Sequence, residues 1–181
     1  VTFADNLNVA AGLSASNDLF DLNILGSNNQ IGGPVSLLNS GLLLINDNST
    51  DTTKVASGIA RLLDTRLLGT VTFGGEAALT KLIGSTKDSL SLTGTALTLG
   101  FATGLGNYSA LTLAGPQGVN LLGSVVTVSG ALAISGNSIS QSSAGIITAG
   151  ATTLTSSGDI NLAGGNIFNS TVAFSAANVS I

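Results

Sequence analysis

Four aspartates form the acidic pairs of this sequence that could do acid–base chemistry. Asp18 and Asp21 are three residues apart, and Asp47 and Asp51 are four residues apart. Two nearby carboxylates are what glycoside cleavage requires, one as the acid and the other as the base or nucleophile. Both pairs, however, lie among Asn and Ser in turn-like sequence, where aspartate commonly closes or caps a turn. We therefore favour a structural role for all four.

The basic residues are the second group that could carry chemistry, because all five lie within residues 54–87. They could contact an acidic partner, such as the N-terminal region of a neighbouring copy, where residues 1–53 carry five acids and no base. The alternative is that they line a solvated helix face. The candidates for a lateral or partner contact are Lys54, Arg61, Arg66, Lys81 and Lys87.

The residues that are absent exclude several kinds of site. The chain has no Cys, His, Met or Trp, so a disulfide framework, a Cys or His zinc site and a Ser-His or Cys-His catalytic centre are excluded. The glycine pair at 164–165 lacks the Asp spacing of a calcium-binding repeat, and no Gly-Lys-Ser/Thr follows the glycines at 100–106. We predict no catalytic residue, no metal and no cofactor, and the chain is not expected to be an enzyme.

Composition points to an extended β protein. Of 181 residues, 44% are hydrophobic and only 8% are charged, with a net charge of −4. The apolar content argues against disorder, no run of about 18 apolar residues suits a membrane span, and the negative charge argues against nucleic acid as a partner. Residues 89–181 carry a single charged side chain, Asp159.

Short alternating runs recur through the second half of the chain and predict its architecture. Their last apolar residues are separated by 20 or 21 positions, and each is followed by turn-forming Gly, Asn or Ser and by one or two further short runs. Three short strands in about 20 residues make one coil of a β-helix. The residues that define the period are Leu92, Leu113, Ile134, Leu154 and Phe174.

The first half carries a weaker form of the same pattern. Phe3, Ile24 and Ile45 are each 21 residues apart, but the next comparable position, Phe73, follows after 28. We therefore predict one parallel β-helix domain over residues 1–181, of about eight coils of 20–21 residues, with an insertion at 46–70. Apolar residues at helical spacing predict a helix at 52–68, with a loop as the alternative, and a shorter helix at 76–83.

Two kinds of side-chain ladder were considered from the repeat. Asparagines at the coil corners suggest stacked amides inside the rod. Threonines could line one flat face and bind ice, but Thr93 and Thr152–Thr153 do not recur in register with Thr112, so the sequence argues against a threonine array. The asparagines are Asn120, Asn137, Asn161, Asn166 and Asn178.

About the last 95 residues resemble the filamentous-haemagglutinin-like adhesins of Gram-negative bacteria, in particular SGALAISGN at 129–137 and GDINL at 158–162. The resemblance implies a secreted β-helix of the two-partner or autotransporter type, located on the cell surface. It implies a structural and adhesive role, as part of a matrix fibre or of a long adhesin. The alternative from a different class is a β-helix of the tailspike or pectin-lyase type that binds or cleaves carbohydrate.

The ends of the sequence fall inside strand-like runs without polar caps. We expect either that the chain is a fragment or repeat unit of a longer rod, or that copies stack end to end or side by side into a filament. The expected partners are the chain itself, the rest of a longer chain, or a glycan on a host or neighbouring cell. The candidates for end-to-end stacking are Val1, Phe3, Phe174, Val179 and Ile181.

Overall fold

Alternating apolar and polar residues form the strands of this protein because successive side chains of a strand point to opposite sides. The computed structural model describes residues 1–181 as 25 strands joined by turns and bends, with no helix. Strands of neighbouring coils pair in parallel throughout. The chain is therefore a β-helix, which confirms the predicted fold class.

The first four coils contain twelve strands, most of them only two to four residues long. Strands this short are stable because each pairs with its equivalent in the next coil, about 4.8 Å away. In chain order they are β1 Thr2–Phe3, β2 Asn8–Val9, β3 Leu13–Ala15, β4 Leu22–Ile24, β5 Asn28–Ile31, β6 Val35–Leu37, β7 Leu43–Ile45, β8 Thr52–Val55, β9 Ile59–Arg61, β10 Thr65–Leu67, β11 Gly69–Phe73 and β12 Ala77–Gly84.

The remaining coils continue the same winding. Two strands, β12 and β14, are long enough to pass a corner and to pair with different strands through their first and second halves. The strands of this part are β13 Ser89–Thr93, β14 Leu97–Tyr108, β15 Ala110–Gly115, β16 Val119–Leu121, β17 Val125–Val128, β18 Leu132–Gly136, β19 Ile139–Gln141, β20 Ile146–Ala149, β21 Thr152–Ser156, β22 Asp159–Leu162, β23 Ile167–Phe168, β24 Val172–Ser175 and β25 Asn178–Ser180.

The strands stack into three faces that run along the axis. Face 1 contains β1, β4, β7, β10, the second halves of β12 and β14, β17, β20 and β23. Face 2 contains β2, β5, β8, β11, β13, β15, β18, β21 and β24. Face 3 contains β3, β6, β9, the first halves of β12 and β14, β16, β19, β22 and β25. Each coil crosses the faces in this order, which makes about nine coils.

The core consists of inward-facing columns in which equivalent residues of successive coils lie above one another. On face 2, Leu92 pairs with Leu113, and the column continues through Ile134 and Leu154 to Phe174. All but Phe174 are buried. The residues whose separation predicted the coils are therefore one column of the core, and removing their apolar surface from water stabilises the stack.

Residues 46–70 form ordinary strands of the β-helix and not an insertion. β8, β9 and β10 lie in this segment and occupy faces 2, 3 and 1 in turn. Ile45 pairs with Leu67 on face 1, whereas Phe73 pairs with Val55 on face 2. Linking Ile45 to Phe73 compared two different faces, and this produced the apparent insertion of the sequence-based prediction.

The helices predicted over residues 52–68 and 76–83 are both absent. Val55 and Ile59 point into the core from two different strands that a corner separates, and Leu62 is exposed at the next corner. Their spacing matches a helix only because the corner between the strands is short. Residues 77–83 belong to β12.

The coils differ most in length where the ladder of face 3 is interrupted. Asn28 pairs with Thr52, 24 residues later, and Thr52 pairs with Thr70 after only 18 residues. β3 and β6 form a separate two-stranded ladder, and β9 pairs with β12 but not with β6. Faces 1 and 2 therefore continue through this region while face 3 is broken between β6 and β9.

Candidate functional site

The two aspartate pairs lie at different corners of the β-helix. Asp18 and Asp21 are between β3 and β4, at a corner from face 3 to face 1. Asp47 and Asp51 are between β7 and β8, at a corner from face 1 to face 2. The structure therefore does not combine the four carboxylates into one site.

Two of these carboxylates hold the backbone of a corner. Oδ1 of Asp21 accepts a hydrogen bond from the backbone N–H of Leu42 in the next coil, at 2.8 Å. Oδ2 of the buried Asp51 accepts one from the backbone N–H of Asn48, at 3.0 Å. Such contacts satisfy turn donors, as the turn-closing interpretation predicts. No three acidic side chains converge as a ligand set for a metal.

The five basic residues do not share one surface. Lys54 is exposed on face 2, and Arg66 is half-buried on face 1. Lys81 lies at the bend within β12, and Lys87 lies in the turn before β13, both exposed. Arg61 is buried. The structure thus places the candidate contact residues on different sides of the rod, and one of them inside it.

Arg66 and Asp88 form a two-pronged ion pair that fastens the corner after β12. Nε of Arg66 donates to Oδ2 at 3.0 Å, and Nη2 donates to Oδ1 at 2.9 Å. Ser85 donates to the same carboxylate through its backbone N–H and its hydroxyl. Burial alone would raise the pKa of Asp88, but the hydrogen bonds from Arg66 and Ser85 outweigh it and lower the pKa. The hydrogen bond to Asp88 raises the pKa of Arg66.

The single tyrosine lies fully inside the core. Tyr108 packs edge-to-face against Phe101, with ring centroids 6.1 Å apart. Its hydroxyl has no hydrogen-bond partner. Burial raises the pKa of this hydroxyl, so the phenol stays neutral.

Arg61 occupies an inward position that is apolar in the coils above. It pairs with Leu79, which in turn pairs with Leu99. Only 3% of its surface is exposed. Nη1 donates to the backbone oxygen of Leu37 at 2.7 Å, and Nη2 donates to that of Gly41 at 2.6 Å. Arg61 therefore bridges the break in face 3, since Leu37 is the last residue of β6.

The charge of Arg61 has no carboxylate partner. The ion pairs of the structure are Arg66 with Asp88 and Lys81 with Asp64. Burial lowers the pKa of Arg61, and the more distant Asp64 offsets part of this. Its Nε–H has no acceptor. The guanidinium is thus held by backbone oxygens and by Oδ1 of Asn39 at 3.2 Å.

A buried amide network is present, but not at the asparagines that the sequence suggested. Asn120, Asn137, Asn161 and Asn178 are exposed, and Asn166 pairs reciprocally with the Gln141 amide. The buried network belongs to other residues of the first three coils. It consists of Asn29, Asn46 and Thr53.

The residues proposed for end-to-end stacking lie in the first and last coils. In the first coil Phe3 packs against the core, whereas Val1 is exposed. In the last coil Phe174, Val179 and Ile181 are all exposed. Phe174 and Val179 continue inward-facing columns, so core side chains are accessible at this end.

Face 2 presents two outward columns of small, uncharged side chains from β11 to β24. Thr153 shares a column with Thr112, so the expectation that threonines do not recur in register is wrong, although Thr152 is buried. The first column is Thr70, Ser91, Thr112, Ala133, Thr153 and Ala173, and the second is Thr72, Thr93, Ala114, Ser135, Thr155 and Ser175.

None of the helices needed to cross a membrane, long and apolar, occurs in the structure. Comparison with models of protein families, with curated proteins and with solved structures found no match to this chain.

Proposed function

We propose that this protein is a structural rod, either a subunit of a self-assembling surface or matrix fibre or a segment of a filamentous adhesin. The observation that supports this best is face 2, where twelve outward positions over six coils carry only Thr, Ser and Ala. Charged side chains normally keep protein surfaces apart in solution. A flat face of small, uncharged side chains lets two rods approach to about 10 Å, the spacing of packed sheets.

The accessible core at the last coil supports contact along the axis as well. The strands β23, β24 and β25 have one paired edge each, and partly exposed Phe174 and Val179 lie between them. Either further coils of a longer chain or the first coil of a second copy would cover these side chains. A head-to-tail contact that does not close generates a filament.

A location on the surface of a Gram-negative bacterium is the second part of the proposal. It rests on the resemblance of residues 111–181 to filamentous-haemagglutinin-like adhesins and on a surface made soluble by Ser, Thr and Asn. In this setting the partners are other copies, the rest of a longer chain, or a glycan on a host or neighbouring cell.

Electron microscopy and sedimentation of the purified protein test lateral packing. We expect rods of the native sequence to align side by side as the concentration rises. The double variant Thr112→Lys and Thr153→Lys places two charges on face 2 and should abolish alignment without lowering the melting temperature, because both positions are exposed. The matched control is Asn120→Lys with Asn161→Lys, which places the same charges in the same two coils on face 3.

Three outcomes decide the proposal. Lateral bundles that the face 2 variant loses and the face 3 control keeps would support it. Discrete single rods at high concentration would rule out the fibre version. Equal loss of bundling in both variants would show that added charge alone, and not face 2, prevents association.

A further inference from the structure

Exposed leucines line the corner from face 3 to face 1 beside the break in the ladder. Leu38 follows β6 and is 54% exposed, and Leu62 follows β9 and is 73% exposed. Between them lies a groove of about 520 Å³, a size typical of small-molecule sites. The groove is lined mainly by Leu37, Leu38, Leu62 and Leu63, with Asn17 and Arg61 as its polar members.

The polar member that matters is Arg61, because its charge is unusual for the interior. A buried cation is normally paired with an acid, since an unpaired charge inside a protein costs several kcal/mol. Arg61 is held by the oxygens of Leu37, Gly41 and Asn39, and its Nε–H has no acceptor. An anion seated in the groove would supply the missing negative charge.

We propose that this groove binds a carboxylate that carries a hydrocarbon chain, as in a medium-chain fatty acid. The hydrocarbon lies on Leu38, Leu62 and Leu63, and the carboxylate lies at the guanidinium of Arg61. The apolar lining excludes a small inorganic anion as the preferred ligand, and the buried charge disfavours a neutral lipid. This inference is independent of the proposed role as a fibre.

The carboxylate reaches Nε only when a side chain of the lining moves, since this atom is covered. Leu62 is the side chain placed to do so. It is the most exposed residue of the lining, and exposed side chains change rotamer readily. Binding should therefore shift the methyl signals of Leu62 more than those of leucines elsewhere.

Titration of the native protein with octanoate, 1-octanol and acetate tests the proposal, followed by leucine methyl NMR. We expect octanoate to bind at least about tenfold more tightly than octanol, because a charge-assisted hydrogen bond contributes about 1.5–3 kcal/mol. Acetate, which lacks the chain, should not bind measurably. The shifts should centre on Leu38, Leu62 and Leu63.

Two pairs of variants locate the contacts. Leu62→Asn removes part of the apolar wall and should weaken octanoate about tenfold, whereas Leu105→Asn changes an exposed leucine outside the groove and should have no effect. Arg61→Met should abolish the preference for octanoate over octanol. Arg61→Lys retains the charge and should preserve part of it.

The native protein decides the matter even if the Arg61 variants do not fold. Octanol binding as tightly as octanoate would show that Arg61 does not recognise the carboxylate. No methyl shifts with octanoate would show that the groove is not a site. Either result overturns the proposal, and Arg61 would then serve only to bridge β6 and β9.

Discussion

The ring of Tyr108 occupies the space that a side chain at Gly84 would take. A Cβ atom at residue 84 would stand 2.5 Å from Cζ of the tyrosine, well inside contact distance. Gly84 and Tyr108 lie in neighbouring coils of face 1, at the ends of β12 and β14. The absence of a side chain at one position thus makes room for the largest fully buried side chain of the core.

Replacing Gly84 with alanine should therefore destabilise the protein. The new methyl group forces the ring or the strand to move, and overpacking of this kind costs about 1–3 kcal/mol. Denaturant unfolding followed by circular dichroism measures the loss. Gly165→Ala is the matched control, because nothing lies within 4 Å of a Cβ at that position, and an equal loss in both variants would contradict the steric explanation.

Replacing Tyr108 with phenylalanine should leave stability unchanged or raise it. The hydroxyl is buried and has no hydrogen-bond partner, and burying an unsatisfied polar group costs about 1–3 kcal/mol. The ring keeps its edge-to-face contact with Phe101. A clear drop in the unfolding free energy of Tyr108→Phe would mean that the hydroxyl is satisfied after all.

Acid should weaken the protein partly through Asp88. Its pKa is lower in the folded chain than in the unfolded one, so its contribution is complete above about pH 4 and is lost as the pH falls through the folded pKa. Because the Arg66 side chain is 37% exposed, solvent screening limits the expected loss in Asp88→Asn to about 1–2 kcal/mol at pH 7.

The same variant should show a flatter decline of melting temperature below pH 4 than the native protein. Glu76→Gln, at an exposed acid outside any ion pair, is the control and should change neither the stability nor its acid dependence. Parallel acid profiles for Asp88→Asn and the native protein would remove Asp88 from the explanation.

A charge in an inward column should be far more costly than one beside it. Ile134 is 2% exposed in the core column of face 2, and its neighbour Ser135 points outward. Ile134→Asp should cost several kcal/mol, because the carboxylate is buried without a partner, whereas Ser135→Asp should change stability by less than about 0.5 kcal/mol. Thermal melting compares them, and similar melting temperatures would contradict the inward assignment of Ile134.

The regular part of the fold could be predicted because one kind of residue repeats at one position. Leu92 to Phe174 belong to a single inward column whose coils have nearly constant length, so spacing alone identified it. Phe3, Ile24 and Ile45 are likewise one column of face 1. The link from Ile45 to Phe73 failed because coils of unequal length separate them, and a period cannot tell which face a residue belongs to.

The groove could not be predicted from the period, because Arg61 breaks the rule that inward positions are apolar. A signal was nevertheless present. Residues 59–61, Ile-Ala-Arg, align with residues 77–79, Ala-Ala-Leu, and this alignment places Arg61 above a core leucine position. The hydrogen bonds that make the position tolerable come from Leu37 and Gly41, more than 20 residues earlier, and no local pattern reveals them.

The interruption of face 3 between β6 and β9 has a mechanical meaning. A pull along the axis loads the ladders that join successive coils, and at this one junction only two faces carry continuous backbone pairing. The third is held by a single arginine side chain. Under tension the rod should part here before it parts elsewhere, with the first two coils separating as a unit, so that Arg61 determines the force at which the rod yields.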